Sequence, residues 1–126
     1  MANAEWSLYE RLGGYDVIAK FMTDYVNRIR ADSRFARFAG GRGTDKKMRD
    51  VQLNIDYMCK VTGGPMYYMG RDLKTSHAGL NISEEEWKAN MQYMAEALDA
   101  CKVAAKERGE VLALVERMRR EIVETS

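Results

Sequence analysis

Apolar residues along this chain recur at spacings of three and four, with little of the alternation that marks strands. Ile18, Phe21, Met22, Tyr25, Val26 and Ile29 fall on one helical face behind the Gly13-Gly14 break, so a helix is expected that ends near 31–33. A short helical turn over 34–38 and a loop built on Gly40-Gly41-Arg42-Gly43 should follow. The next helix begins at Thr44 or Asp45, either of which can cap it, and runs to Val61 or Thr62. It carries an apolar stripe of Met48, Val51, Ile55 and Met58, and beside it a more polar one of Asp50, Asn54, Tyr57 and Val61. Gly63-Gly64-Pro65 stops it, because glycine tolerates the left-handed end position and proline cannot continue the helix. Gly70 and Gly79 bracket at most two helical turns over 73–78. Ser83-Glu84-Glu85-Glu86 has the form of a capping box, with Trp87, Met91, Met94, Ala95 and Leu98 on the face behind it. A last helix over about 106–123 aligns Val111, Val115, Met118 and Ile122. The pattern predicts an all-α chain forming one domain over residues 1–126.

Composition narrows the function classes. The chain has 126 residues, 46% hydrophobic and 31% charged, which suits one soluble domain with one core. A net charge of +1 gives no broad field for nucleic acid or anionic lipid, so neither partner is expected. No apolar run approaches the roughly 20 residues of a membrane span. The opening residues lack a basic segment followed by an apolar one, so a cytoplasmic protein without a secretory leader is expected. Cys59 and Cys101 form no CxxC pair and read as free structural thiols, with a disulfide between them as the alternative. The glycine loop at 40–43 lacks the Gly-Lys-Ser/Thr ending of a phosphate cradle, and no strand precedes it.

The chain holds one histidine, His77. A single imidazole cannot build a zinc site or a two-histidine metal face, and no carboxylate cluster substitutes for one, so a metal hydrolase is not supported. It can anchor a cofactor that needs one protein ligand.

Three motifs in order carry a family resemblance over nearly the whole chain, from Ser7 to about Ile122. They are Leu8-Tyr9-Glu10-Arg11-Leu12-Gly13-Gly14, then Gly63-Gly64-Pro65 with Tyr68, Gly70 and Arg71, then His77-Ala78-Gly79-Leu80-Asn81-Ile82. Together they resemble the truncated hemoglobins, the short globins with a two-over-two helical sandwich, and most closely their first group.

The resemblance implies heme b as cofactor, with His77 the protein ligand to iron. Neutral imidazole binds through one nitrogen, and its other N–H usually donates to a carbonyl that fixes the ring. By the same resemblance Phe38 packs on the heme, and Leu73, Ile82 and Trp87 line the proximal side and the mouth, although Ile82 and Trp87 serve equally as core. Met58 joins the cofactor contacts from the distal helix, and Arg71 and Lys74 stand where they can pair with propionates. Many relatives carry a tyrosine where this chain has Val26. Tyr25 comes one residue earlier, a turn of about 100 degrees, and is expected to point elsewhere. Counting back from Gly63, the usual distal polar positions fall on Asp50 and Asn54. Asn54, then Tyr57, then Gln52 are the candidate donors to a bound ligand. Ionised Asp50 can only accept and is expected to face solvent.

The histidine count excludes bis-histidine coordination within one subunit. An open sixth position, or water on ferric iron, is therefore expected. The implied function is binding of a diatomic gas: oxygen, nitric oxide or carbon monoxide. Oxygen transport, nitric oxide dioxygenase chemistry with a reductase partner, and peroxidase-like chemistry all stay open. A monomer or weak dimer is expected. The reading from a different class is a heme-free helical interaction or regulatory domain.

Overall fold

The computed structural model describes residues 6–38, 44–65 and 80–124. Among them six α-helices form: α1 (Leu8–Leu12), α2 (Tyr15–Ala31), α3 (Thr44–Val61), α4 (Glu84–Ala100), α5 (Ala105–Glu116) and α6 (Arg119–Ile122). A 3-10 turn, Ser33–Phe38, follows α2 where the short helical turn was expected. No helix among the described residues is long and apolar enough to cross a membrane.

Helix starts follow the capping chemistry in the sequence. At α4 the backbone N–H of Glu86 donates to Ser83 Oγ at 3.2 Å, and the N–H of Ser83 donates to Glu86 Oε1 at 3.0 Å. Ser7 and Glu10 make the same reciprocal pair at α1. Each pair satisfies two donors that the first helical turn leaves without partners, and each is worth about 1 kcal/mol.

Helix α2 is the centre of the molecule. It packs against both α3 and α4; α4 packs on α5, and α1 bridges α2 and α5. Ile18, Phe21 and Met22 of α2 meet Ile55, Met58 and Cys59 of α3, Trp87, Met94 and Leu98 of α4, and Val111 and Val115 of α5 in one core. Full burial of each large side chain contributes roughly 1.5–3 kcal/mol. Arg11 of α1 donates to Glu107 and Glu110 of α5 at 2.9 and 2.6 Å and fixes α1 across the core. Cys59 and Cys101 are free thiols, and burial followed by the charge of Asp56 pushes the Cys59 thiol up to about 11.

Two expectations are corrected. Met48 was placed on the apolar stripe of α3 but is 66% exposed; the buried stripe begins at Val51 and Ile55. The last helix is not continuous over 106–123. It closes at Glu116, where Met118 N–H donates to Val115 O, a tighter i−3 bond, and α6 restarts at Arg119. The break leaves Ile122 turned into the core.

Carboxylates at helix junctions carry a pH dependence. Hydrogen bonds from Arg34 and then Tyr93 hold the Asp32 carboxyl well below its usual range, and a hydrogen bond from Arg11 lowers that of Glu110. A carboxyl depressed by folding stabilises the folded state above its unfolded value, and that stability is lost as pH falls through the folded value. The melting temperature should therefore be flat above about pH 5 and fall steadily below about pH 4. The fall should be shallower in an Asp32→Asn variant, as thermal melts followed by circular dichroism across that range would register.

Candidate functional site

The helix arrangement leaves a fork. Helices α3 and α4 both lean on α2, yet share no extensive contact of their own among the described residues. The chain between them runs from Pro65 to Leu80, and His77, Arg71, Leu73 and Lys74 lie on it, outside the described residues. Both described ends of that stretch are held. Tyr9 N–H donates to Thr62 O at 2.8 Å at one end, and Glu124 N–H donates to Ile82 O at 2.9 Å at the other.

The first end requires glycine. Gly63 has φ +97, a left-handed conformation that a side chain strains. A Cβ on Gly64 would lie 2.5 Å from the Tyr9 ring and 2.9 Å from the Cys59 carbonyl oxygen. Tyr9 therefore packs closely against bare backbone, and the glycine motif is a seat for α1.

Helix α3 has two faces of different character. Val51, Ile55, Met58 and Cys59 join the core. Leu53 and Tyr57 are half-buried and stand apart from the core cluster, beside half-buried Asp50 and exposed Asn54. Val26 on α2 is 8% exposed and also lies outside that cluster. Ile82 and Met58 are buried core members, as is Trp87, whose indole N–H donates to Glu116 at 3.1 Å. Trp87 thus acts first as a core side chain joining α4 to α5. The side chain of Phe38 lies outside the described part.

The candidate donors separate. Gln52 does not turn toward Asn54 and Tyr57. Its amide donates to Tyr15 Oη and Asp56 Oδ1, both at 2.9 Å, on the exposed side of α3. Two residues on a helix are about 200 degrees apart, so Gln52 and Asn54 occupy opposed sides. Gln52 was the third-ranked candidate donor, and its amide is engaged with Tyr15 and Asp56. Tyr25, grouped with the distal residues but expected to point away from the Val26 position, donates its hydroxyl to Asn90 Oδ1 of α4, and burial pushes the phenol well above its ordinary value. Asn54 keeps its place on the polar stripe, with one amide N–H donated to Asp50 O at 2.8 Å. Asp50 is half-buried rather than turned fully to solvent. Sequence reasoning missed Asn90 as the partner of Tyr25, and no signal could have found it, the two being 65 residues apart.

Among the described residues no group of three or more His, Cys, Asp or Glu side chains could hold a metal ion. Val26, Met58 and Ile82 are buried apolar side chains, and Leu53 is half-buried.

Comparison with known proteins agrees with this architecture. The family model described as bacterial-like globin matches residues 7–124. The group 1 truncated hemoglobin GlbN of Nostoc sp. is 26% identical over 113 residues, covering 90% of this chain and 93% of that protein. The group 1 truncated hemoglobin of Tetrahymena pyriformis is 24% identical over 121 residues, covering 96% and 98%. The Fe(III) structure of the Tetrahymena protein superposes with a TM-score of 0.83 at 22% identity, over 94% of this chain and 98% of that one. Chlamydomonas reinhardtii THB1 gives 0.76 at 28% identity, over 98% and 100%. With a family match that spans α1 to α6 and a fold shared with two-over-two truncated hemoglobins, the chain belongs to the bacterial-like globins and is similar in sequence to their group 1 truncated hemoglobins.

Proposed function

We propose that this chain binds heme b through His77 and takes a diatomic gas on the opposite face of the iron. The observation that carries the reading is the globin match over residues 7–124 in a chain whose single histidine falls in its own ordered motif. Heme iron supplies reversible binding of oxygen, nitric oxide or carbon monoxide.

The protein's part is to hold, orient and desolvate. His77 offers one neutral imidazole nitrogen, and its other N–H sets the ring through an acceptor. Arg71 and Lys74 offer cations to the propionates. Phe38, Leu73, Met58 and Ile82 exclude water, with Trp87 behind them as core. Val26 presents methyl groups where a hydroxyl would otherwise donate. The Tyr25 hydroxyl goes to Asn90 and the Gln52 amide to Tyr15, and Asn54 and Tyr57 are the donors proposed to face a ligand. A site with few donors favours carbon monoxide and nitric oxide over oxygen, whose bound form gains more from a hydrogen bond. Gas binding is therefore the primary reading. Nitric oxide dioxygenation, which needs firmly held oxygen and a reductase partner, is secondary to it.

The test is the visible spectrum of the purified protein in ferric, ferrous and carbon-monoxide forms. A five-coordinate ferrous spectrum that shifts with carbon monoxide is expected. A six-coordinate ferrous spectrum would replace the open site with an internal ligand. A protein that neither retains nor takes up heme would leave a heme-free helical interaction domain as its function.

A further inference from the structure

Beyond the cofactor itself, residues 119–124 close on residues 81–84, which follow His77 in sequence. Asn81, four residues after the histidine, has φ 54, a left-handed conformation outside glycine. Its N–H donates to Glu124 Oε1 at 2.8 Å. The N–H of Glu124 donates back to Ile82 O at 2.9 Å. Ile82 and Ile122 are both buried in the core beneath this pair, with Val123 packed against it. Arg119 adds an ion pair to Glu84 on the first turn of α4. Residues 119–124 thus form a clasp with a side-chain bond, a main-chain bond, an ion pair and an apolar foot, all on residues 81–84.

Local capping alone does not require the clasp. The Ser83–Glu86 box already opens α4. What the Glu124 carboxylate adds is a fixed backbone at Asn81, and four residues of chain reach at most about 14 Å. We propose that Glu124 is a positioning residue for the iron ligand: by holding Asn81 and Ile82 it fixes the downstream anchor of the segment bearing His77. The proposal rests on the reading of His77 as that ligand. Glu124 touches neither cofactor nor gas in this role; it limits how far the imidazole can tilt or withdraw.

The test compares heme-loaded wild type with Glu124→Ala, Glu124→Gln and His77→Gly. Three signals are read: the iron–imidazole stretching band in resonance Raman of the ferrous form, the rate of heme transfer to an apomyoglobin acceptor, and far-ultraviolet circular dichroism. In Glu124→Ala the band should shift or broaden and heme transfer should quicken about three- to tenfold, the worth of one hydrogen bond. Helical content should be unchanged. Glu124→Gln keeps an acceptor oxygen for Asn81 and should stay within about twofold of wild type. An unchanged band and transfer rate in Glu124→Ala would overturn the proposal. So would lost helical content, which makes the clasp a general folding element, or a glutamine variant as impaired as alanine. His77→Gly separates the two ideas. If it keeps the wild-type band, the ligand assignment itself has failed; if it loses the band while Glu124→Ala is unaltered, only the clasp has.

Discussion

A His77→Gly protein is expected to lose the five-coordinate ferrous spectrum and to regain it when free imidazole is added. Glycine leaves a hole of the side chain's size, and an exogenous imidazole can fill it and reach the metal. No other histidine can substitute, because the sequence has one. Heme release from the variant should quicken by roughly tenfold or more, a loss of at least about 1.4 kcal/mol in heme-binding free energy. The apoprotein should melt as wild type does, since Phe21, Met94, Leu98 and Val111 of the core lie on α2, α4 and α5. Spectral titration with imidazole and stopped-flow heme transfer are the measurements. A variant that binds heme as wild type does, with the same ferrous spectrum, would remove His77 from the site.

The second large effect is on the fold. Gly64→Ala places a methyl group 2.5 Å from the Tyr9 ring and 2.9 Å from a backbone carbonyl oxygen, and the carbonyl belongs to a helix end that cannot shift cheaply. Overpacking of this kind costs about 2–3 kcal/mol. For a chain of this size that lowers the melting temperature by roughly 8–12 °C. Gly109→Ala is the matched control. Gly109 lies inside α5 with nothing within 4 Å of an added Cβ, so alanine there should stabilise by about 0.5–1 kcal/mol. Thermal melts of the two variants should move in opposite directions. Equal destabilisation would mean that the contact between Tyr9 and Gly64 is not what demands glycine.

Much of the architecture was legible because its signals are local. The Ser83 box, the glycine stop at 63–64 and the stripe of α2 each depend on residues within a turn or two of one another, and each is found where the spacing puts it. The exposure of Met48 was not legible, since a stripe shows which way a side chain faces and not where the opposing helix ends. The break after Glu116 escaped for a related reason: Val111, Val115, Met118 and Ile122 keep helical spacing across it. At the site, spacing placed Asn54 and Tyr57 on one stripe and set Tyr25 apart from Val26. It did not show that Tyr25 binds Asn90, Gln52 binds Tyr15 or Glu124 binds Asn81, because those partners lie 65, 37 and 43 residues away. Long-range polar pairs leave no periodic trace in sequence, and they decide which donors remain for a ligand.

The clasp of residues 119–124 also sets an order in folding. Contacts between residues near in sequence form ahead of distant ones, because joining distant residues costs more loop-closure entropy. The box at Ser83 and Glu86 spans three residues, whereas Asn81 and Glu124 lie 43 apart. Helix α4 is therefore expected to form before the clasp fastens, and the clasp to release first when the fold is strained.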